Sequence, residues 1–510
     1  MRRPITALMA IGLAGLLVVP LQAATQAPVR GGTVTFGIQS DWKTLDSVFY
    51  TNVSERMIFY SFYNPLVSMD EKMTVRAELA SSWNVSKDGL IWTFHLQPDV
   101  VFHDGTAFNA EVVKFNLDRI RAPGTGSTLR TLLEPVQEVR VTGPLTVEVR
   151  LKTPFTPLLG LLTEGPGFMV SPAAVGKYGK DYSLHPVGTG PFEFVDWQKG
   201  DQIRLRRFDR YWEKGLPYLD GVIYKPIPDE SVRLANLQAG ALDVDQNIPP
   251  RSIATTKQDK QLKTFVMVGT RWPMMRFNLA RGALSDKALR RAVSYAINRD
   301  QLVAAIYFGN ARPAYGPISP VYSTIYDPSI RELSYTTNLD KAREKLREAG
   351  RPGGFTFTLD IAASPDQARM AELIKAQLAQ VGIAMNVQSY EPTTFQDRLT
   401  YKRYEAALGS WTPRPDIDGT IWNHFHSNGN VNSMSYKNPA VDELLDRARS
   451  LPNGSARTKA YRDAQRLIVA DAPWAFLIFE NITVGMKPNI YGIPAIPDTM
   501  IRFKAAWIAK

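Results

Sequence analysis

Strand-like and helix-like segments alternate along this chain, and the clearest succession lies in its second half. Residues 355–361 form an apolar β-type run, and residues 366–381 follow with apolar side chains at helical spacing, ended by Gly382. Residues 383–387 and 405–411 are two further strand-like runs. Strand, helix and strand in this order predict a right-handed parallel crossover. The chain is therefore predicted to be an α/β protein.

The first half shows the same alternation. Residues 33–38, 90–96 and 145–151 are predicted strands, and residues 109–120 are a predicted helix with Asn109 as its cap. Open α/β sheets bind ligands where loops leave the carboxyl ends of their strands. The loop that follows Trp411 lies at such a place, so it is the first candidate for a binding site.

The amino terminus has the pattern of a secretory signal peptide. Arg2 and Arg3 precede an apolar run over residues 5–20, and the small residues Ala23 and Ala24 follow it. We expect residues 1–24 to be removed by cleavage after Ala23 or Ala24; the alternative is a buried amino-terminal core helix. The sequence contains no cysteine, which excludes disulfides and a lipid-modified amino-terminal cysteine. We therefore expect an exported protein that an outer membrane retains in the periplasm.

The charge of the chain is positive but dispersed. The formal net charge is +11, and the densest basic run, residues 204–210, still contains an aspartate. Nucleic-acid binding usually requires clustered Lys and Arg, so no nucleic-acid partner is expected. The surplus favours anionic ligands or surfaces.

Sequence patterns for catalysis are missing. The chain has no Cys nucleophile, no G-x-S-x-G, no H-E-x-x-H and no G-x-x-x-x-G-K-[ST]. Of its five histidines, only His424 and His426 are spaced to act together, and two ligands do not complete a transition-metal site. We therefore expect no enzyme activity, no catalytic residues, no metal site and no cofactor.

The loop over residues 409–419 gathers groups that a binding cleft needs. Trp411 offers a flat apolar wall, Arg414 a guanidinium, and Asp416 and Asp418 two carboxylates. A carboxylate accepts charge-assisted hydrogen bonds from an ammonium group, and Arg binds carboxylate or phosphate with two parallel bonds. The alternative is a proline-stiffened turn in which Asp416 or Asp418 caps a helix that begins near Ile421. Residue chemistry leaves both interpretations open.

Many segments resemble the extracellular solute-binding protein family 5, the oligopeptide, dipeptide and nickel-complex receptors of ABC importers. They share one order along nearly the whole chain, which makes the resemblance specific. The segments are LASSWNVS (79–86), WTFHL (92–96), VFHDG (101–105), PVGTGPF (186–192), LQAGALDV (237–244), RRAVSYAINR (290–299) and NPAVDELL (438–445).

The resemblance implies a two-lobed fold of the type II periplasmic-binding-protein class, which closes about a hinge on its ligand and presents it to a membrane permease. The first lobe would comprise residues 25–272, with an extra subdomain near residues 70–180. The second lobe would comprise residues 273–480, and residues 481–510 would return to the first lobe.

The resemblance also implies site residues in the second lobe. In the dipeptide receptors of this family an acidic residue of the loop holds the amino terminus of the peptide, and Asp416 is the matching position, with Asp418 second. Ile417 stands where the common pattern Asp-Pro-Asp has proline, and Arg414 is a further departure. These departures put dipeptide specificity in doubt and suit an anionic ligand such as an opine.

Further candidates come from both lobes. Trp42, Tyr50 and Thr51 match the segment with which the family lines its cleft, and Arg130 and Asn432 are additional candidates; each is equally a candidate for packing. The predicted protein is a monomeric receptor for a small peptide or an opine-like charged metabolite. The alternatives are a chelated-metal or haem receptor, a periplasmic hydrolase and a folding helper.

Overall fold

The computed structural model describes residues 27–510, so the predicted signal peptide lies outside the described residues. The strands are β1 (Thr33–Ile38), β2 (Val67–Met69), β3 (Val75–Ala77), β4 (Ala80–Val85), β5 (Ile91–Leu96), β6 (Val136–Gly143), β7 (Thr146–Leu151), β8 (Phe192–Gln198), β9 (Gln202–Arg207), β10 (Gly221–Pro226), β11 (Val244–Asp245), β12 (Lys263–Val268), β13 (Trp272–Phe277), β14 (Ala311–Pro313), β15 (Thr356–Ala362), β16 (Ala384–Tyr390), β17 (Ala406–Trp411), β18 (Trp474–Phe476), β19 (Ile478–Met486), β20 (Ile490–Tyr491) and β21 (Trp507–Ile508).

The α-helices are α1 (Val53–Phe62), α2 (Ala110–Arg121), α3 (Leu158–Leu161), α4 (Pro172–Tyr178), α5 (Glu230–Gln238), α6 (Ile253–Gln258), α7 (Lys287–Ala296), α8 (Arg299–Tyr307), α9 (Ile330–Leu333), α10 (Leu339–Glu348), α11 (Pro365–Ala379), α12 (Pro392–Thr400), α13 (Asp418–Phe425), α14 (Pro439–Ser450) and α15 (Ser455–Asp471). In the described part of the chain, no helix combines the length and apolar character needed to cross a bilayer.

An eight-stranded mixed sheet organises the first lobe, by which we mean residues 27–268 and 478–510. Its strand order is β12-β19-β11-β1-β10-β9-β8, and β14 also pairs with β19. The central strand β1 runs parallel to both β10 and β11. Its apolar side chains Val34, Phe36 and Ile38 are fully buried in the largest hydrophobic core of the protein. This strand is the one predicted from residues 33–38.

A five-stranded sheet with the order β16-β15-β17-β13-β18 organises the second lobe, by which we mean residues 272–476. β15 is parallel to both β16 and β17, which confirms the predicted strand-helix-strand unit. Gly382 ends the connecting segment with a φ of 81°, a conformation that glycine adopts without strain. Separate hydrophobic cores lie against this sheet, one with α7 and α11 and the other with α13, α14 and α15.

A four-stranded antiparallel sheet, β4-β5-β7-β6, packs with α2 as one unit, and its buried side chains join the core of the large sheet. It contains the strands predicted at residues 90–96 and 145–151. The predicted cap of α2 is also confirmed, because the Asn109 side chain accepts a hydrogen bond from the backbone N–H of Val112 at 3.1 Å. The unit falls inside the range expected for the extra subdomain, whose limits stay a prediction.

Two neighbouring connections join the lobes. The chain leaves the large sheet after β12 and enters the smaller one at β13, and it returns between β18 and β19. The first connection is hydrogen-bonded to the beginning of β19, from Gly269 N–H to the Glu480 carbonyl at 3.0 Å and from Glu480 N–H to the Arg271 carbonyl at 2.9 Å. The exact lobe boundaries at residues 272–273 and 480 stay predictions.

Candidate ligand-binding site

The loop after β17 reaches from the second lobe to the first. Its Arg414 Nη1 donates to Glu164 Oε1 at 2.7 Å and to the Tyr50 hydroxyl at 3.0 Å. The backbone carbonyl of Arg414 accepts a hydrogen bond from the Tyr322 hydroxyl at 2.8 Å, which positions the loop. Arg414 is therefore the predicted loop residue whose charged group contacts the opposite lobe.

Glu164 lies between two guanidinium groups. Arg56, also in the first lobe, forms an ion pair with Glu164 Oε2 at 2.7 Å, and Arg414 occupies Oε1. Burial opposes the charged form of Arg56, but Glu164 together with Tyr50 and Tyr60 outweighs it, so the pKa of Arg56 is raised. Burial also raises the pKa of Tyr50, so this phenol stays neutral. Two cations and one anion leave this interlobe cluster with a net positive charge.

A second contact between the lobes lies beside this cluster. Thr156 donates through its backbone N–H to the Arg449 carbonyl at 2.9 Å and through its hydroxyl to the Leu451 carbonyl at 2.7 Å. The Arg449 guanidinium also lies over the ring of Phe155, 5.1 Å from its centroid. Gly160 packs against Asp416, since a Cβ added to Gly160 would lie 2.7 Å from the Asp416 Cβ. The described structure is therefore a closed arrangement of the lobes.

The two carboxylates of the loop are paired inside their own lobe. Arg457 Nη2 donates to both oxygens of Asp416 at 2.8 and 2.9 Å. Asp418 accepts from Arg449 Nη2 at 2.7 Å and from the Tyr461 hydroxyl at 3.1 Å. Binding of a ligand ammonium by Asp416 or Asp418 stays a prediction, and it would have to compete with these partners.

The alternative interpretation of the loop is partly correct. The helix α13 begins at Asp418, three residues before the expected start near Ile421. Neither aspartate is its N-cap, which is Ile417, but Asp416 Oδ1 accepts a hydrogen bond from the Asp418 N–H at 2.9 Å. The cap was misplaced because the turn itself continues into the helix, so Asp418 is already helical and its carboxylate is free to pair with Arg449.

Trp411 lines a cavity of about 480 Å³ in the second lobe. The end of β17, the helix α12 and residues 429–433 form most of its wall, and Arg276 from β13 also lines it. The cavity lies at the carboxyl end of a strand of a parallel unit, where α/β sheets commonly bind ligands. Asn432 lies in the wall, but its amide group bonds to His426 and Tyr436 and holds the segment together.

The first-lobe candidates separate into different environments. Tyr50 contacts Arg414, as described above. Trp42 is a core residue whose indole N–H donates to the Ser54 carbonyl at 2.9 Å, so in this structure it is a packing residue. Thr51 is exposed and its backbone N–H donates to Glu55, and Arg130 is exposed with no ion pair within residues 27–510. The ligand roles of these residues stay predictions.

Three residues of the site did not emerge from the sequence patterns, namely Arg56, Glu164 and Arg276. No local pattern singles out the first two, because they are far apart in sequence and become neighbours only when the first lobe folds. Arg276 did have a local signal. It is the charged residue in β13, where all six residues are buried.

His424 and His426 do not form a pair. His424 is fully buried against the rings of Trp411 and Trp474, with centroid distances of 4.6 and 4.9 Å. His426 is stacked on Trp422 and lies 3.3 Å from Asp446. Within residues 27–510, no three or more His, Asp or Glu side chains are grouped to hold a metal ion.

Known proteins resemble this chain over nearly its full length. The family model described as bacterial extracellular solute-binding proteins, family 5 Middle, matches residues 74–432. The glutathione-binding protein GsiB of Pectobacterium atrosepticum is 33% identical over 517 residues, which cover 98% of this chain and 97% of that protein.

Two solved structures share the architecture at 25% identity. DppA from Helicobacter pylori, in complex with the peptide STSA, has a TM-score of 0.82 and covers 94% of this chain and 99% of that chain. AppA from Bacillus subtilis, in complex with a nonapeptide, has a TM-score of 0.81. The match covers 95% of this chain and 100% of that chain. The predicted two-lobed α/β fold is therefore confirmed. The chain belongs to the bacterial extracellular solute-binding proteins of family 5 and is the substrate-binding component of an ABC importer.

Proposed function

We propose that this protein captures a small peptide or an opine-like charged metabolite between its lobes and delivers it to the membrane permease of its importer. The supporting observation is the contact of Arg414 with Glu164 and Tyr50, which joins the lobes at the end of β17. Glutathione is the first compound to test, because a relative 33% identical to this chain is named for binding it.

The charge of the interlobe cluster supports an anionic ligand group. Arg56 and Arg414 share the single carboxylate of Glu164, and all three side chains are largely buried. A buried excess of positive charge is costly unless an anion neutralises it. A ligand carboxylate near this cluster would stabilise the closed lobes relative to the open ones. Such a difference is the thermodynamic requirement for ligand-driven closure.

The remaining parts of the proposal concern where and how the protein works. Residues 1–24 act as a cleaved signal peptide, and the mature chain works in the periplasm without a lipid anchor, since the sequence has no cysteine to carry one. It acts as a monomer that binds and releases its ligand unchanged, so it is not an enzyme. Its partners are the small ligand and the permease subunits.

The test is thermal unfolding of residues 25–510 against glutathione, dipeptides, oligopeptides, opines, sugar phosphates and metal chelates, followed by calorimetric titration of the compounds that stabilise it. A ligand of the folded state at 100 times its dissociation constant adds about 2.7 kcal/mol of stability. We expect one anionic peptide-like class to raise the melting temperature. Arg414→Met should reduce this rise, whereas Arg403→Met, an exposed arginine of the same lobe, should not.

Other outcomes identify the alternatives. Stabilisation by metal chelates or haem alone would replace the peptide proposal with a chelate receptor. A folded, ligand-free protein that no compound stabilises would overturn the proposal. Turnover of a peptide or ester would then indicate a hydrolase, and broad binding of unfolded chains a folding helper.

A further inference from the structure

Arg276 is a charged residue inside an otherwise apolar strand. All six residues of β13 are buried, and Arg276 is only 7% exposed. The strand lies between β17 and β18, so the backbone of Arg276 is paired with Ala407 on one side and Trp474 on the other. Burial at this depth opposes the charge of a guanidinium, and it lowers the pKa of Arg276.

The guanidinium of Arg276 lacks a counter-charge. Its Nη1 donates to the Ser433 hydroxyl at a long 3.4 Å, and its Nη2 lies 3.6 Å from the sulfur of Met274. Within the described chain, its Nε has no hydrogen-bond partner and no carboxylate forms an ion pair with it. Buried charges in native proteins are normally paired, so this one needs an explanation.

Other buried arginines of the same lobe do not share this situation. Arg299 is similarly buried and donates to the carbonyls of five residues, namely Ser294, Ile297, Ala314, Tyr335 and Phe476. Arg457 is paired with the carboxylate of Asp416. These arginines stabilise the fold, whereas Arg276 has neither a carbonyl nor a carboxylate partner in the described chain and lies over the ring of Trp474, 5.9 Å from its centroid.

The cavity of about 480 Å³ gives Arg276 access to a ligand. Its size is within the usual range for small-molecule sites. Gly409 leaves room for the guanidinium at the cavity wall, because a Cβ at this position would lie 3.0 Å from Nη2 of Arg276. Trp411 lines the same cavity, and its buried indole N–H also has no hydrogen-bond partner among residues 27–510.

We infer that Arg276 binds a carboxylate group of the transported ligand inside this cavity. The inference rests on the proposed function and deepens it, since it names the chemical group that the second lobe recognises. A carboxylate can accept two parallel hydrogen bonds from one guanidinium and supplies the missing negative charge. His424 adds no charge nearby, because burial lowers its pKa well below the usual range and keeps it neutral.

The test compares matched ligands and matched variants. Glutathione and its two single-carboxamide analogues are titrated into the wild type, Arg276→Met and Arg403→Met. We expect the wild type to bind glutathione about 10- to 100-fold more tightly than one of the two carboxamides, a span typical of charge-assisted bonds. Arg276→Met should lose this preference, and Arg403→Met should keep it.

The ligand-free melting temperature gives an independent measurement. Removal of one partner from a buried ion pair normally destabilises the fold. Arg276→Met removes a charge that has no ion-pair partner, so the melting temperature of this variant should equal or exceed that of the wild type. Sodium acetate, compared with acetamide, should stabilise the wild type and not Arg276→Met. If Arg276→Met does not fold, Arg276→Gln, which also removes the charge, takes its place in the same comparison.

The outcomes separate the inference from the proposed function. The inference would be overturned if glutathione and both carboxamides bind with equal affinity and Arg276→Met binds them as the wild type does. The protein would then still be a receptor, but one that recognises a feature of the peptide other than its carboxylates. Failure of the wild type to bind any peptide or opine would instead overturn the proposed function. Stabilisation by acetate that persists in Arg276→Met would place the anion elsewhere.

Discussion

Arg414 and Asp416 are separated by one residue, but their charges act in different lobes. The guanidinium of Arg414 contacts Glu164 in the first lobe, and the carboxylate of Asp416 pairs with Arg457 in the second. The proline residues on either side of Arg414 restrict the backbone, which helps to hold these two directions apart. Arg414 and Asp416 therefore do not pair with each other, although only one residue separates them.

Removal of the Asp416 carboxylate is expected to destabilise the ligand-free protein. Arg457 is largely buried, and Asp416→Ala would leave its charge without a carboxylate partner. The cost of a broken buried pair is roughly 3 kcal/mol. Chemical denaturation without ligand measures it. Asp463→Ala, which removes the partner of the exposed Lys459, should change the stability little. Equal effects of the two variants would show that the Asp416 pair contributes nothing special.

His103 is expected to make stability depend on pH. Its Nδ1 accepts from the Gly188 N–H at 3.4 Å and its Nε2 donates to the Gly190 carbonyl at 3.0 Å, which requires the neutral ring. Burial lowers the pKa of His103 to about 4 from an ordinary value of 6.5. Between these values the unfolded chain binds the proton and the folded chain does not. The stability that depends on a neutral His103 is therefore fully present above pH 6.5 and is lost as the pH falls toward 4.

The measurement for His103 is the change in melting temperature from pH 7 to pH 5. The melting temperature of the wild type should fall further than that of His103→Gln, because the amide of the variant does not titrate in this range. Carboxylates that titrate in the same window are common to both proteins and cancel in the comparison. Parallel losses in the two proteins would mean that the imidazole does not stay neutral when buried.

At the scale of elements, local patterns predicted most of what the structure contains. The strands β1, β5, β7, β15, β16 and β17 and the helices α2 and α11 lie within a few residues of their expected positions. Side-chain periodicity is a local property, so it is visible in the sequence. The start of α13 was less accurate, because the turn and the helix share residues and the polar side chains pair with distant arginines instead of capping.

The cap of α2 offers a direct test at this scale. Asn109 accepts from the Val112 N–H, so Asn109→Ala should cost about 1 kcal/mol of stability by leaving that donor without a protein acceptor. Asn109→Ser keeps an acceptor at the same place and should lose much less. Denaturant titration of both variants provides the comparison. An unaffected Asn109→Ala would mean that water replaces the cap at no cost.

For the whole molecule, closure depends on close contacts between the lobes. Gly160, in α3 of the first lobe, lies against Asp416 of the second. An alanine side chain there would place its Cβ 2.7 Å from the Asp416 Cβ, closer than two such atoms can approach. Gly160→Ala should therefore hold the lobes apart and weaken ligand binding roughly tenfold, as expected for overpacking of a tight contact.

Titration calorimetry and small-angle scattering test this prediction. The variant should show a larger radius of gyration in the presence of ligand than the wild type. Gly176→Ala is the matched control in α4 of the same lobe, because an added Cβ there has no atom within 4 Å. Affinity and compactness equal to those of the control would show that the lobes do not close onto Gly160 when ligand is bound.

The sequence by itself determined the α/β class, the parallel crossover, the cap of α2 and the family to which the chain belongs, because each depends on the order and spacing of residues. Only the tertiary structure decided which charges meet. Glu164 and Arg414 are 250 positions apart and join across the lobes, and Asp416 finds its partner 41 positions later. Arg276 remains unpaired in a cavity that distant segments enclose. Charge pairing depends on distance in space and on burial, and neither can be read from sequence spacing.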